Sequence, residues 1–186
     1  IGDKFLTCGP GFGGSCFPKD VLALINTANK FKIDNPIISS VIESNKIRAS
    51  SIARTIEKAT QQNDTIAVLG ITYKANTDDV RDSPALQILE NINRKVKIYD
   101  PAGMENFKKA SPSKSITCAA SIYEAAQDAS LLVVMTEWDE FKHLDPVKLS
   151  AVMKQKHIYD LRGIVNKKLL SSHVFKVNVV GYKHYF

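Results

Sequence analysis

A parallel, doubly wound α/β sheet preceded by a helical segment is the fold class this sequence predicts, on three observations. Beyond residue 62, short β-rich runs alternate with segments that open on helix-capping residues, the pattern of repeated strand–helix units. The first run, Thr65-Ile66-Ala67-Val68-Leu69-Gly70-Ile71, is continuously apolar, as a strand covered on both faces is. Ahead of it, residues 17–59 repeat apolar side chains at helical spacing.

Taken in order, Val21, Leu22, Leu24, Ile25 and Ala28 predict a helix after Pro18, broken at Lys32-Ile33-Asp34-Asn35-Pro36. Asn35 there is placed to cap a second helix, with Pro36 at its first position, where a missing N–H costs nothing. That helix runs to about Ala59, its stripe made of Ile38, Val41, Ile42, Asn45, Ala49, Ile52 and Ile56, and spans about 35 Å. A helix of that length serves either as a spine within one chain or as a dimer seam. Gln61-Gln62-Asn63-Asp64 reads as the boundary, dividing residues 1–62 from residues 63–186. After the strand at 65–71, Ser83-Pro84 opens a helix through Asn91, and Val96 to Tyr99 is the next strand. Ser121-Ile122-Tyr123-Glu124 has the capping-box pattern and predicts a helix over 121–129. Leu131 to Thr136, His157 to Leu161 and Val174 to Val180 complete the strands, with a helix starting at Asp145-Pro146.

Composition bounds the function classes. With 44% hydrophobic and 24% charged residues, the 186-residue chain can bury a substantial core. No apolar run approaches the roughly 20 residues of a bilayer span, and no signal peptide is visible, so no membrane partner is expected. Three cysteines without CxxC spacing, and four histidines without ligand spacing, argue against a disulfide framework and a metal site and for a cytoplasmic protein. The net charge of +6 is dispersed, without an aromatic–basic stripe, which favours a small anionic ligand over nucleic acid.

Three constellations carry chemistry. In Gly9-Pro10-Gly11-Phe12-Gly13-Gly14-Ser15-Cys16-Phe17-Pro18-Lys19-Asp20, small residues permit backbone amides to approach a ligand, and Cys16 stands where the loop turns into a helix. The helix dipole and Lys19 would favour its thiolate. A buried, inert cysteine is the plainer alternative. Asp20, four residues on, would hold a water or a lysine ammonium, or simply cap the turn. Thiolate and amides together suggest addition to a carbonyl. Secondly, Thr72 to Pro84 follows the first strand and precedes a helix, where open α/β sheets bind nucleotides. Lys74 and Arg81 can reach phosphate oxygens from there, or else Asp78, Asp79 and Arg81 pair among themselves. Thirdly, Tyr159-Asp160-Leu161-Arg162-Gly163 puts Arg162 at a strand's carboxyl end, for a ligand or for a salt bridge to Asp160 or another carboxylate.

The motifs GPGFGGSCFPKD at 9–20, VLGITYKANTDDVRDSP at 68–84, KIYDP at 97–101 and YDLRG at 159–163 together resemble the UDP-glucose/GDP-mannose dehydrogenase family, in its order and over the whole chain. The resemblance implies a Rossmann-like UDP-sugar-binding domain at 63–186, behind a thiol loop and central dimerisation region at 1–62. It implies oxidation of a sugar C6 alcohol to a carboxylate by two NAD, through a thiohemiacetal and thioester on Cys16, with Asp20 as water-positioning or proton-transfer partner. Phe5, Leu6, Phe12, Gly13, Gly14, Phe17, Lys74 and Arg162 would contact the sugar nucleotide, and Arg81 the NAD pyrophosphate. Phe17-Pro18-Lys19 after the cysteine resembles members acting on UDP-glucose to give UDP-glucuronate, with those acting on GDP-mannose the nearest rival. The resemblance also implies a homodimer through the 36–59 helix. The family's NAD-binding domain, with its catalytic lysine and asparagine, lies ahead of the thiol loop. The chain therefore reads as a C-terminal part without turnover of its own. A non-catalytic nucleotide-sugar-binding and dimerisation module is the alternative from another class, and a cysteine hydrolase would need a histidine near Cys16.

Overall fold

The computed structural model describes residues 6–109 and 116–181. Two helices come first, α1 (Phe17–Lys30) and α2 (Pro36–Lys58). Next are β1 (Thr65–Leu69), α3 (Pro84–Leu89), β2 (Lys95–Tyr99), α4 (Met104–Lys109), β3 (Ile116–Cys118), α5 (Ile122–Ala126) and β4 (Ala129–Val134). A 3₁₀ turn at Asp139–His143 leads to α6 (Pro146–Val152), β5 (His157–Asp160), α7 (Lys167–Ser172) and β6 (Lys176–Val179). The strands form one parallel sheet in the order β3-β2-β1-β4-β5-β6. The predicted α/β class, with helices ahead of a Rossmann-like sheet, is the observed one. The order reverses between β1 and β4, so the loops leaving these two strands diverge and open a crevice at their carboxyl ends.

Successive side chains of a strand face opposite sides, so each central strand feeds two cores. Ile66, Val68, Leu131 and Val133 meet Ala49, Ile52, Ala53 and Ile56 of α2 and Ala85 and Ile88 of α3. Ala67, Leu69, Leu132 and Val134 meet Ala125 of α5, Phe141, Leu149 of α6 and Leu170 of α7 on the other face. Only the second half of α2 is buried, and α1 buries no residue, its Leu22 and Leu24 being about half exposed. The stripes predicted on these helices form, but residues 17–48 spend them on one another and on solvent. No helix among the described residues is long and apolar enough to cross a membrane.

Several local expectations need correction. Asn35 stands at the N-cap of α2 with Pro36 first in the helix, as predicted, and its carbonyl takes Ser39 N (3.1 Å). Its side chain makes no capping bond, because its Oδ1 accepts from Ser39 Oγ (2.7 Å) instead. The Ser121 box is offset, with Ser121 Oγ accepting from Glu124 N (3.1 Å) while Glu124 Oε2 takes Ala120 N (2.8 Å). β1 ends at Leu69 because Gly70 turns the chain (φ 89°) where a Cβ would strike Thr136, and β4 starts two residues earlier than predicted. β3, α4 and α7 were not predicted. Each is three to six residues long, too short for a periodicity to show.

Candidate functional site

The loops after β1, β4 and β5 converge with the thiol loop and the middle of α2 around a cleft of about 850 Å³. Its walls include Gly9, Gly11, Phe12 and Gly13 of the loop, Ser44, Asn45 and Arg48 of α2, Tyr73 and Lys74 after β1, Glu137 after β4 and Arg162 after β5. Two carboxylates at strand ends shape this edge. Asp100, 2% exposed, accepts from Ile71 N (2.8 Å), Thr72 N (3.1 Å) and Thr72 Oγ1 (3.0 Å), pinning the chain that leads to Tyr73 and Lys74. Asp160, fully buried, accepts from Arg162 N and Gly163 N, both at 2.9 Å, and from Val165 N at 2.9 Å. The aspartates of KIYDP and YDLRG are thus turn builders, and Asp160 is not the ion-pair partner of the Arg162 side chain.

That partner is Glu137. Arg162 Nε lies 3.1 Å from Glu137 Oε2, but its N–H is aligned with the Met135 carbonyl (3.0 Å), so the carboxylate oxygen has no aligned hydrogen bond. A terminal nitrogen of the same fork reaches the Tyr73 carbonyl at 3.4 Å. Burial pushes the Arg162 pKa below its ordinary value, against the opposing pull of Glu137, Cys8 and Asp160. A guanidinium does not deprotonate in proteins, so a mostly buried cation, paired with Glu137, lines the cleft. Lys74 is exposed, its Nζ 5.3 Å from the centre of the Tyr73 ring, and free to swing toward an anion.

The thiol loop differs from its expectation in one respect. Its glycines, three of which line the cleft, also make room for neighbouring protein. A Cβ on Gly9 would meet the Arg162 fork, one on Gly11 the Asn45 amide, one on Gly14 the Tyr73 ring, and one on Gly13 the Asp82 backbone carbonyl, which cannot move aside. Phe12 N donates to Asn45 Oδ1 (3.0 Å) and Gly14 N to the Arg81 carbonyl (3.1 Å), so neither amide is left for an oxyanion. The run has G-x-G-x-x-G spacing over 9–14, but the described residues just ahead, 6–8, are not a strand, so it is no dinucleotide fingerprint.

Cys16 is exposed and directly precedes α1, its Sγ 3.7 Å from Ser15 Oγ. Asp20 N closes the first turn on the Cys16 carbonyl (2.9 Å), while the Asp20 carboxylate pairs loosely with Lys19 Nζ (3.5 Å), both in solvent. Phe12 and Phe17 meet edge to face at 5.0 Å, Phe17 being the residue after the thiol. Leu6 and Phe17 are 74% and 58% exposed, and Phe5 lies outside the described residues. Arg81 is bidentate to Asp79 (2.9 and 2.7 Å), the pairing foreseen as its alternative role. That pairing raises its pKa, with a smaller contribution from Cys16. His157 bonds to Asn178, and His173 to Ser172 and the Leu169 carbonyl, so no bond links a described histidine to Cys16. Among the described residues no cluster of three metal-ligating side chains occurs.

Asn45, Arg48, Tyr73 and Glu137 were not singled out as site residues in the sequence. Only Asn45 had left a signal there, as the one polar side chain in the apolar stripe of α2.

Residues 67–167 match the UDP binding domain of the UDP-glucose/GDP-mannose dehydrogenase family, and residues 1–47 match its central domain. A UDP-glucose 6-dehydrogenase of Rickettsia typhi is 43% identical over 189 residues, covering 98% of this chain and 44% of that protein. One of Rhizobium meliloti is 42% identical over 187 residues, covering 97% of this chain and 42% of its own. The chain therefore spans less than half the length of these relatives. Among solved structures, a UDP-glucose dehydrogenase from Pyrobaculum islandicum superposes with a TM-score of 0.73 at 27% identity, over 88% of this chain and 37% of that one. A UDP-D-ManNAc dehydrogenase from Pyrococcus horikoshii gives 0.74 at 27%, over 93% and 39%.

Proposed function

The chain belongs to the UDP-glucose/GDP-mannose dehydrogenase family, and from that premise we propose that it supplies the nucleophile and the UDP-sugar site of a UDP-glucose 6-dehydrogenase. The observation that carries this is Arg162, a mostly buried guanidinium that lines the same cleft as the thiol loop and Lys74. A diphosphate there would stabilise Arg162 and draw in Lys74, and Cys16, three to seven residues along from the loop glycines that line the cleft, is the group assigned to meet the sugar.

In this reading the Cys16 thiolate adds to the C6 aldehyde, forming the carbon–sulfur bond of a thiohemiacetal as the carbonyl oxygen takes up a proton. The aldehyde itself forms when the C6 alcohol gives up a first hydride and its hydroxyl proton. Loss of the second hydride together with the thiohemiacetal hydroxyl proton leaves a thioester. Water, positioned by Asp20, then cleaves the carbon–sulfur bond to release UDP-glucuronate and regenerate the thiolate, the protons passing to solvent. NAD, when bound, accepts the hydride of each oxidation. The contact toward NAD assigned to this chain is Arg81, whose pairing with Asp79 uses Nε and one terminal nitrogen and leaves the other for a pyrophosphate oxygen. Covalent capture keeps the aldehyde from escaping between oxidations. Residues 1–62 serve as the thiol-loop and dimerisation part and residues 63–186 as the UDP-sugar part, in a cytoplasmic homodimer joined through the 36–59 helix.

Titration calorimetry with UDP, UDP-glucose and GDP-mannose tests the reading. The expected result is saturable heat with both uridine compounds, none with GDP-mannose, and no NADH production from UDP-glucose by this chain alone. Absence of heat at millimolar UDP overturns the binding role.

A further inference from the structure

Asn45 sits in the apolar stripe of α2 and is only partly buried, yet its side chain makes no contact that serves the helix. Both ends of its amide are spent on one loop residue: Nδ2 donates to the Phe12 carbonyl and Oδ1 accepts from Phe12 N, each at 3.0 Å. Paired bonds of this kind reproduce half a strand ladder and hold a backbone unit in one orientation, which a single bond does not. Phe12 in turn sets its ring edge-on against Phe17 (5.0 Å, 78°), and Phe17 is the first residue of α1, next to Cys16. On the far side, the loop is fixed by Gly14 N on the Arg81 carbonyl (3.1 Å). The loop leading into the thiol is therefore pinned twice, at Phe12 by α2 and at Gly14 by the chain before α3. Gly11, whose absent side chain leaves room for the Asn45 amide, lets this clamp close.

We infer that Asn45 is a positioning residue for the thiol: by gripping Phe12 it sets where Cys16 stands at the head of α1. The inference rests on the reading of Cys16 as nucleophile. Asparagine is suited to the role because it alone, at this length, offers a donor and an acceptor side by side. Alanine removes both bonds. Aspartate keeps the acceptor for Phe12 N but sets a carboxylate oxygen against the Phe12 carbonyl.

The test is the rate of alkylation by iodoacetamide as a function of pH, resolved by peptide mass spectrometry. It compares wild type, Asn45→Ala and Asn45→Asp, with exposed Cys8 as internal reference and melting temperature recorded alongside. In the wild type, Cys16 should react faster than Cys8 at neutral pH. Asn45→Ala should lower that ratio about tenfold and move the Cys16 pH profile, with Asn45→Asp in between and all three chains melting within a few degrees of one another. A reactive wild-type Cys16 whose ratio and profile are unmoved in both variants overturns the positioning role. Equal reactivity of Cys16 and Cys8 in the wild type overturns the nucleophile instead. If Asn45→Ala does not fold, the same comparison on Asn45→Asp decides.

Discussion

Arg162 concentrates the chemistry of the cleft, because every hydrogen bond its side chain makes ties it to backbone of another strand-end loop. Its fork touches the Met135 and Tyr73 carbonyls and lies beside Glu137, so it bridges the loops leaving β1, β4 and β5. Lysine has the charge but not the fork. Arg162→Lys is therefore expected to weaken UDP binding by about tenfold or more in calorimetry, with the melting temperature moving by only a few degrees. Unchanged affinity would mean that the phosphates do not meet this residue. Cys16, Lys74 and Arg162 were legible as candidates because thiol, ammonium and guanidinium at loop positions are chemically conspicuous. Glu137 and Arg48 were not, since a charged residue in a polar stretch has no signature until its partner is known. Arg48, donating from Nε and a terminal nitrogen to the Gly9 carbonyl at 3.1 and 2.6 Å, is partnered across 39 residues.

At the scale of elements, α2 does two jobs with its two halves. Ala49, Ile52, Ala53 and Ile56 are sealed against the sheet, whereas Ile37, Val41 and Ile47 are exposed. Ile56→Ala, at a fully buried position, should cost about 2–5 kcal/mol in urea unfolding. Ile37→Asp, at a position 76% exposed, should leave the unfolding of the monomer nearly unchanged and instead weaken self-association in sedimentation. If that variant and the wild type sediment identically as monomers at high concentration, the dimer seam is elsewhere or absent. The length and register of this helix were readable because six apolar positions, with Asn45 among them, repeat over about five turns. The division of labour was not, because both halves show the same stripe and only the sheet's extent decides where burial stops.

For the molecule as a whole, acid should be the destabilising direction. Asp64, 3% exposed at the head of β1, is held at a pKa of about 2 by hydrogen bonds from Lys154 and Gln61 N. A carboxylate whose folded pKa is depressed contributes stability that is complete above its unfolded value, near 3.8, and lost as pH falls through the folded one. His157 adds to this earlier. Burial lowers its pKa below 6.5, so the folded state prefers the neutral ring and loses stability as pH falls past that value. Urea midpoints should accordingly be flat above about pH 7 and decline below it, steepening under pH 4. Asp64→Asn should remove the steep part, and an unaltered acid limb in that variant would refute the assignment. By itself the sequence determined the fold class, the central strands and the long helix, because periodicity and capping chemistry are local and survive without a third dimension. It also determined the candidate nucleophile and cations. Only the tertiary structure decided what these groups face: that the loop glycines make room for Arg162, Asn45 and Tyr73, that two motif aspartates build turns, and that Asn45 grips Phe12. The Asn45 grip and the Asp100 bonds join residues 28 to 33 positions apart, and no local pattern encodes which partner a hydrogen-bonding group will meet.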